Sequence, residues 1–293
     1  MRFAAVTDTS GNLPNLLVRK AKLHVIAFPY FIDNKEYTCL DSDNFHGDDF
    51  YARIKDGVTV TTSQISPQHY ADFFEPFLRD GLDVVFVSMS SGISGSLNSA
   101  RLGAEMLLED YPERRIELVD TLGASLGEGL IALEAARLRD KGLPAEEAAE
   151  KLRDLARRMC NIFTVDDLMH LKRGGRLSNA AAIIGTVLNI KPLLKGNENG
   201  RIVSFAKTRG RRRSIEELAA RYDRLAVDPE QQTVGIAEAG CREDAEYLAS
   251  LLRKNRPPKE IITVEYEPVT GSHVGPGALA LFFAGGPQVR YEN

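Results

Sequence analysis

The sequence predicts an α/β protein: a parallel-sheet N-terminal domain with helices on both faces, followed by a smaller α+β C-terminal domain. Strand-like and helix-like patterns alternate through the first half, the rhythm of βαβ units. Residues 83–89, DVVFVSM, form a Val-rich apolar run of the kind buried on both faces of a parallel sheet. The length of 293 residues suits two domains at roughly 150 residues each. The expected division is residues 1–160 and 161–293.

Taken in order, residues 3–7 are a short apolar strand, and residues 8–12 are a turn from which Asn12 caps a helix opened by Pro14. Residues 23–31 read as a second strand, with Asp33-Asn34 as a hairpin tip leading into 36–38. Residues 45–55 have helical period, and the polar stretch 59–66 runs into Pro67, which suits the first turn of another helix. The strand 83–89 breaks into Ser90-Ser91-Gly92-Ile93-Ser94-Gly95-Ser96 before a helix over 97–111. Residues 116–119 are a strand ending at Asp120-Thr121, and 128–140 and 145–158 are helices parted by Gly142 and Pro144. In the second half, 163–171 and 180–188 read as helical on either side of Lys172-Arg173-Gly174-Gly175-Arg176. Strands at 201–207, 233–238 and 261–266 then alternate with helices at 214–222 and 243–255. The tail beyond Phe283 reads as an appended, frayed end.

Composition narrows the function classes. Apolar content of 43% and charged content of 27% describe an ordinary globular chain, and a net charge of -4 gives no basic footprint for nucleic acid. Cys39, Cys160 and Cys241 are scattered and odd in number, which argues for reduced thiols and against a zinc site or disulfide frame. The apolar run in MRFAAVTDTS is too short for a signal peptide, and no stretch approaches the ~18 apolar residues of a membrane span. A soluble, cytoplasmic protein is expected.

The Ser/Gly turn is the chief candidate site. A helix start presents backbone N–H groups without internal partners and the positive end of the helix dipole. Its glycines allow a ligand to approach the backbone, and its hydroxyls donate hydrogen bonds. Ser91, Gly92, Ser94 and Gly95 are therefore candidate ligands for a carboxylate or phosphate. Parallel sheets bind ligands beyond the carboxyl ends of their strands. The turns 8–12, 90–96 and 120–125 fall there, with Thr61-Thr62-Ser63-Gln64 as a fourth lining. Gly92-Ile93-Ser94-Gly95-Ser96 also comes close to the nucleophile elbow G-x-S-x-G, with His273 downstream in triad order, although Ser96 stands where the last glycine should be. A serine hydrolase using Ser94 and His273, and a phosphosugar-binding enzyme, stand as alternatives to ligand binding alone.

His273, in Gly271-Ser272-His273-Val274-Gly275-Pro276-Gly277-Ala278, suits an anion donor, a proton shuttle or a structural cap within a fixed loop. Lys172–Arg176 reads equally as a helix C-cap whose cations complement the dipole, or as an anion-facing lid in which Arg176 reaches the site. Arg209, Arg211, Arg212 and Arg213 form the densest positive run, either a solvated face or a dock for an acidic partner or phosphorylated ligand. No P-loop, zinc-protease or dinucleotide fingerprint occurs in a suitable context, so no catalytic residue, metal ligand or cofactor is assigned.

Taken together, the segments Val6-Thr7-Asp8-Thr9-Ser10, Thr62-Ser63-Gln64, Ser90–Gly95, Asp166-Asp167-Leu168, Leu171–Ser178 and His273–Ala278 resemble the DegV family of bacterial fatty-acid-binding proteins, the binding components of fatty acid kinase. They occur in family order and span nearly the whole chain. The resemblance implies one buried long-chain fatty acid, such as palmitate or oleate, and no other cofactor. It implies a carboxylate held by hydroxyls matching Thr62 and Ser94, with His273 in the same network. Ser63, Ser91, Gly92 and Gly95 would line the head group, with Arg176 as a steadying charge. It further implies a separate ATP-dependent fatty acid kinase that makes an acyl phosphate for phospholipid synthesis. Arg209 and Arg211–Arg213 would be its docking face, and transient membrane contact is compatible with that role. One departure is Ile65 after Gln64, where a proline often stands in the family.

Overall fold

The computed structural model describes residues 2–178 and 189–291. The expected helix over 180–188 lies outside the described residues. In chain order the elements are β1 (Phe3–Asp8), α1 (Asn15–Ala21), β2 (His24–Ile26), β3 (Pro29–Ile32), β4 (Lys35–Thr38), α2 (Gly47–Lys55), β5 (Val60–Thr62) and α3 (Pro67–Arg79). There follow β6 (Asp83–Ser88), α4 (Ser96–Leu108), β7 (Ile116–Asp120), α5 (Leu126–Asp140), α6 (Ala145–Arg158), β8 (Met159–Thr164) and α7 (Met169–Arg173). The last group is β9 (Ile190–Gly196), β10 (Ile202–Arg209), α8 (Arg211–Leu225), β11 (Thr233–Glu238), α9 (Arg242–Asn255), β12 (Glu260–Glu265), α10 (Pro268–Val274) and β13 (Leu279–Ala284).

The chain divides into two compact units, Met1–Phe45 with Thr61–Ala156, and His46–Val60 with Arg157–Asn293. The second differs from the expected 161–293 by the excursion that carries α2. That excursion is anchored by Tyr51, whose Oη donates to the Tyr266 carbonyl at 2.5 Å. Gly47 also abuts the Glu265 carboxylate, which accepts its N–H.

In the first unit, β2-β1-β6-β7 form an all-parallel sheet, as the βαβ rhythm predicts. β1 and β6 are buried along their whole length. α3 packs on α4, and α5 lies against both β1 and β6. Tyr70, Phe74 and Phe86 form an aromatic core with ring centroids 5.4–5.7 Å apart. The expected strand 23–31 is broken into β2 and β3. The Phe28 N–H donates to Thr9 Oγ1 at 3.0 Å instead of joining a ladder, and Pro29 has no N–H to give. Asn12 does not cap α1. It ends the preceding 3₁₀ turn in the left-handed conformation at φ 53°, and α1 begins after Pro14.

The second unit carries a six-stranded mixed sheet, β10-β9-β8-β13-β11-β12, in which, among the described strands, β11 and β12 pair in parallel and the other neighbours antiparallel. It is a larger sheet than that of the first unit. Its central strands β8, β9 and β13 are not among the expected elements. The expected helix 163–171 is instead the end of β8 and the short α7. A fully buried run such as MCNIFT has no polar face to separate strand from helix. Helices α8 and α9 pack together over the core, where Tyr222 meets Phe283 edge-on at 5.2 Å. The tail is not frayed: Val289 and Arg290 are buried, and Gly285 bridges to Ala226 while donating to the Arg158 carbonyl.

Candidate functional site

The predicted site residues fall into two constellations, one in each unit. In the first, the parallel register brings the ends of β1, β6 and β7 to the same sheet edge. The Ser90–Ser96 turn is stapled there to the turn after β7. Ser90 N donates to the Gly123 carbonyl at 2.8 Å, and Thr121 Oγ1 to the Ser88 carbonyl at 2.8 Å. The Asp120 carboxylate accepts from the Ser91 hydroxyl, the Ser91 N–H and, at 2.9 Å, the Leu122 N–H. Within the turn, Gly92 N donates to Ser90 Oγ at 3.0 Å and Ser94 N to the Ser90 carbonyl at 3.2 Å.

Ser94 is half-buried, and its Oγ accepts the Ser96 N–H at 3.2 Å. A hydroxyl that accepts from the backbone keeps its own proton for a further acceptor. Gly95 is the N-cap of α4 and supplies no side-chain cap, so the helix start is not closed by its own residue. Thr62 is half-buried at the end of β5, and Ser63 N donates to the Pro29 carbonyl at 3.5 Å. The Thr62–Gln64 segment meets the turn directly: a Cβ on Gly95 would lie 2.3 Å from Gln64 Oε1. The structure thus brings the Gln64 end of the Thr62–Gln64 segment against Gly95 of the Ser90–Ser96 turn. Ser94 has no positive φ, so it lacks the strained elbow of a hydrolase nucleophile.

The second constellation gathers Arg176 and His273. His273 stands on α10, a helix rather than the expected loop, whose first N–H groups are capped by Glu267 at 2.6 and 2.7 Å. A Cβ on Gly174 would lie 2.7 Å from His273 Nδ1, so the double glycine is what lets the ring lie against the end of α7. Gly174 and Gly175 donate to the carbonyls of His170 and Lys172, with Gly175 at φ 71°. The C-cap reading of Lys172–Arg176 therefore holds. Arg176 follows the cap and bonds the Gly174 carbonyl.

Burial, and then the Arg176 charge, push His273 down to about 4. At neutral pH its ring is an uncharged donor and acceptor. The neutral form is favoured by folding, so its contribution to stability is present above about pH 6.5 and is lost as the pH falls through about 4. Proton NMR is expected to show one imidazole titrating near 4, absent in His273→Gln; a value near 6.5 would contradict this.

The arginine run is divided. Arg211 pairs with Asp244 at 2.8 Å and with Asp166 at 3.7 Å, while Arg212 pairs with Glu216 at 3.2 Å and lies over the Tyr247 ring. These acids offset a cluster of cations at the N-terminus of α8, where the helix dipole disfavours them. Arg209 and Arg213 are exposed, with no acidic partner within 4 Å among the described residues.

One group of polar residues escapes the sequence reading. Under the turn, Glu128 of α5 and Asp8 of β1 are both buried and face each other through Ser10. The only sequence signal is an acid inside the apolar stretch Leu126–Leu130. Among the described residues no group of His, Cys, Asp and Glu is arranged to hold a metal, and no helix is long and apolar enough to cross a membrane.

A family model described as "Uncharacterised protein, DegV family" matches residues 2–285. A DegV domain-containing protein of Clostridium perfringens is 37% identical over 284 residues, covering 97% of this chain and 98% of that one. Among solved structures, a DegV family protein from Thermus thermophilus, described for its fatty acid binding, is 29% identical with a TM-score of 0.87, covering 97% of this chain and all of that one. DegV of Bacillus subtilis, described as a fatty acid binding protein, is 29% identical with a TM-score of 0.84, covering 98% and 100%.

Proposed function

The chain belongs to the DegV family, and from that premise we propose that it binds a long-chain fatty acid such as palmitate or oleate and is not itself a phosphoryl-transfer enzyme. The observation that carries the reading is Ser94, a half-buried hydroxyl at the start of α4 that accepts the Ser96 N–H and whose proton is left to donate. Ser94 and Thr62 hold the carboxylate, and Ser63, Ser91, Gly92 and Gly95 line it. A buried acyl tail gains ~0.8 kcal/mol per CH₂, so the polar contacts need only orient the head.

The bound acid is then the substrate of a separate ATP-dependent kinase that forms the acyl phosphate. Arg209 and Arg213 are the exposed cations suited to docking it, whereas Arg211 and Arg212 are engaged with Asp166, Asp244 and Glu216. Binding is tested by denaturing extraction and mass spectrometry of protein purified without added lipid. Roughly one fatty acid per chain is expected, and an empty extract together with no uptake of oleate would overturn the reading. Ser94→Ala is expected to weaken oleate binding by ~1.5–3 kcal/mol, the worth of a hydrogen bond to a charged group. An unchanged dissociation constant would remove Ser94 from the site. Kinase docking is tested by the charge-reversed pair Arg209→Glu and Arg213→Glu, which should lower acyl phosphate formation while leaving oleate binding intact.

A further inference from the structure

The buried acids beneath the turn are joined in a way that fixes their protonation. Glu128 Oε1 accepts from Thr7 Oγ1 at 2.8 Å. Ser10 Oγ lies 2.6 Å from Glu128 Oε2 and is also hydrogen-bonded to Asp8 Oδ1, which accepts the Ser10 N–H at 2.9 Å. Asp8, Ser10 and Glu128 are 1%, 0% and 0% exposed. A serine hydroxyl has one proton to give and cannot donate to two carboxylates at once. If it donates to Asp8, the Glu128 side facing the pair must carry a proton, given to Ser10 or directly to Asp8, with which Glu128 also hydrogen-bonds.

No lysine, arginine or histidine among the described residues is paired with either acid, and two unpaired carboxylates in contact cannot both stay ionised in a dry interior. The titratable groups facing the pair are each other, from β1 and α5, and Tyr70 from α3. Asp120 of β7 is turned to Ser91 and Leu122 instead.

We propose that Asp8 and Glu128 share one proton through the Ser10 hydroxyl, and that this relay positions the Ser90–Ser96 turn and limits the negative charge beneath it. The strand register ties the relay to the turn: β1, which ends at Asp8, pairs with β6 as far as Thr7 beside Val87, so the relay lies next to the strand end from which the turn leaves. The Met89 N–H, just before Ser90, favours the charged form of Asp8, and that charge is felt by Tyr70 of α3. Loss of the shared proton would place a second charge under the site that takes the ligand anion. The positioning role therefore rests on the fatty-acid reading, whereas the shared proton does not.

Burial, first of all, raises both acids: Asp8 to about 6, and Glu128 well above its ordinary value, with the Asp8 charge as the next cause. The folded state therefore binds more protons than the unfolded chain. Stability from the pair is full below about pH 4 and is lost as the pH rises through Asp8's value and then that of Glu128. Glu128→Gln keeps an amide donor in place of the acid and should flatten this decline.

Infrared spectroscopy of delipidated protein at about pH 7 is expected to show a protonated carboxylic C=O band that Glu128→Gln removes. Glu265, raised to about 7 in the second unit, contributes its own band, which that variant leaves in place. If Glu128→Gln does not fold, Ser10→Ala serves: it removes the acceptor of the Glu128 proton and should shift the same band. A spectrum unchanged in the folded variant overturns the shared proton. For positioning, oleate affinity of the parent should fall severalfold more than that of Glu128→Gln as the pH rises through the point at which the parent's carboxylic band disappears. Equal slopes overturn the positioning role. A parent that takes up no oleate while keeping its carboxylic band overturns the fatty-acid reading and leaves the relay standing.

Discussion

Replacing Gly129 with valine is expected to destabilise the first unit by the upper end of the ~1–3 kcal/mol typical of overpacking, or by more. Gly129 is where α5 presses on the 3₁₀ turn after β1. A Cβ there would lie 2.2 Å from the Gly11 carbonyl oxygen and 2.9 Å from the Leu13 side chain. The first obstacle is backbone, fixed by a turn that Asp8 caps, so it cannot swing aside. Gly95→Ala is the control. Its Cβ meets only the amide end of the exposed Gln64, a flexible side chain that can move away, and its stability should stay within ~0.5 kcal/mol of the parent. The chain has no tryptophan, so denaturation is best followed by far-UV circular dichroism. The Gly129 variant should lose its first-unit transition early while the second unit's transition stays in place. Because Gly129 neighbours Glu128, lifting α5 also pulls the acid from Ser10, and oleate binding should fall with stability. Coincident denaturation curves for the parent and Gly129→Val would show that the turn yields after all.

How far the sequence spoke for itself follows physical lines. The first unit was legible because each parallel strand carries its own local sign: an apolar run, then a polar turn, then a helix with period 3.6. The Ser90–Ser96 turn could be found from its composition, and the ends of β1, β6 and β7 follow from βαβ geometry once the strands are known. The second unit was less legible. β8 and β13 lie at the centre of a mixed sheet and are buried on both faces, so neither shows the alternation that marks a strand. His273 was recognisable as a special residue from its glycines, but its helix was not, because Pro268–Val274 is too short to show a period. The relay was hidden for another reason. Asp8 and Glu128 are 120 positions apart, and only tertiary packing reveals that an acid on each shares one hydroxyl. The excursion carrying α2 was hidden in the same way, since nothing local tells a helix which sheet it will join.

Tyr51→Ala is the second large effect, expected to cost the second unit ~3–5 kcal/mol as a fully buried aromatic truncation. Tyr51 is 1% exposed on α2. Its ring is fitted to two glycines: a Cβ on Gly240 would lie 3.4 Å from Tyr51 Cβ, and one on Gly271 only 2.1 Å from Tyr51 Oη. Burial, together with the charges of Glu267, Glu265 and Glu238, raises its hydroxyl well above the ordinary value, so it remains a donor to Tyr266 at every working pH. Tyr51→Phe separates the two contributions. It keeps the ring and loses only the hydrogen bond, at ~1–3 kcal/mol because the Tyr266 carbonyl is left buried. Gly271 stands two residues before His273 on α10, so truncating Tyr51 removes the floor beneath the helix that carries the histidine. The NMR titration of His273 should then move from about 4 back towards its ordinary value as the ring gains water, while Tyr51→Phe leaves it nearly in place. A loss under ~1 kcal/mol for Tyr51→Ala, with an unmoved His273 titration, would mean that α2 is an ornament of the second unit and not its anchor.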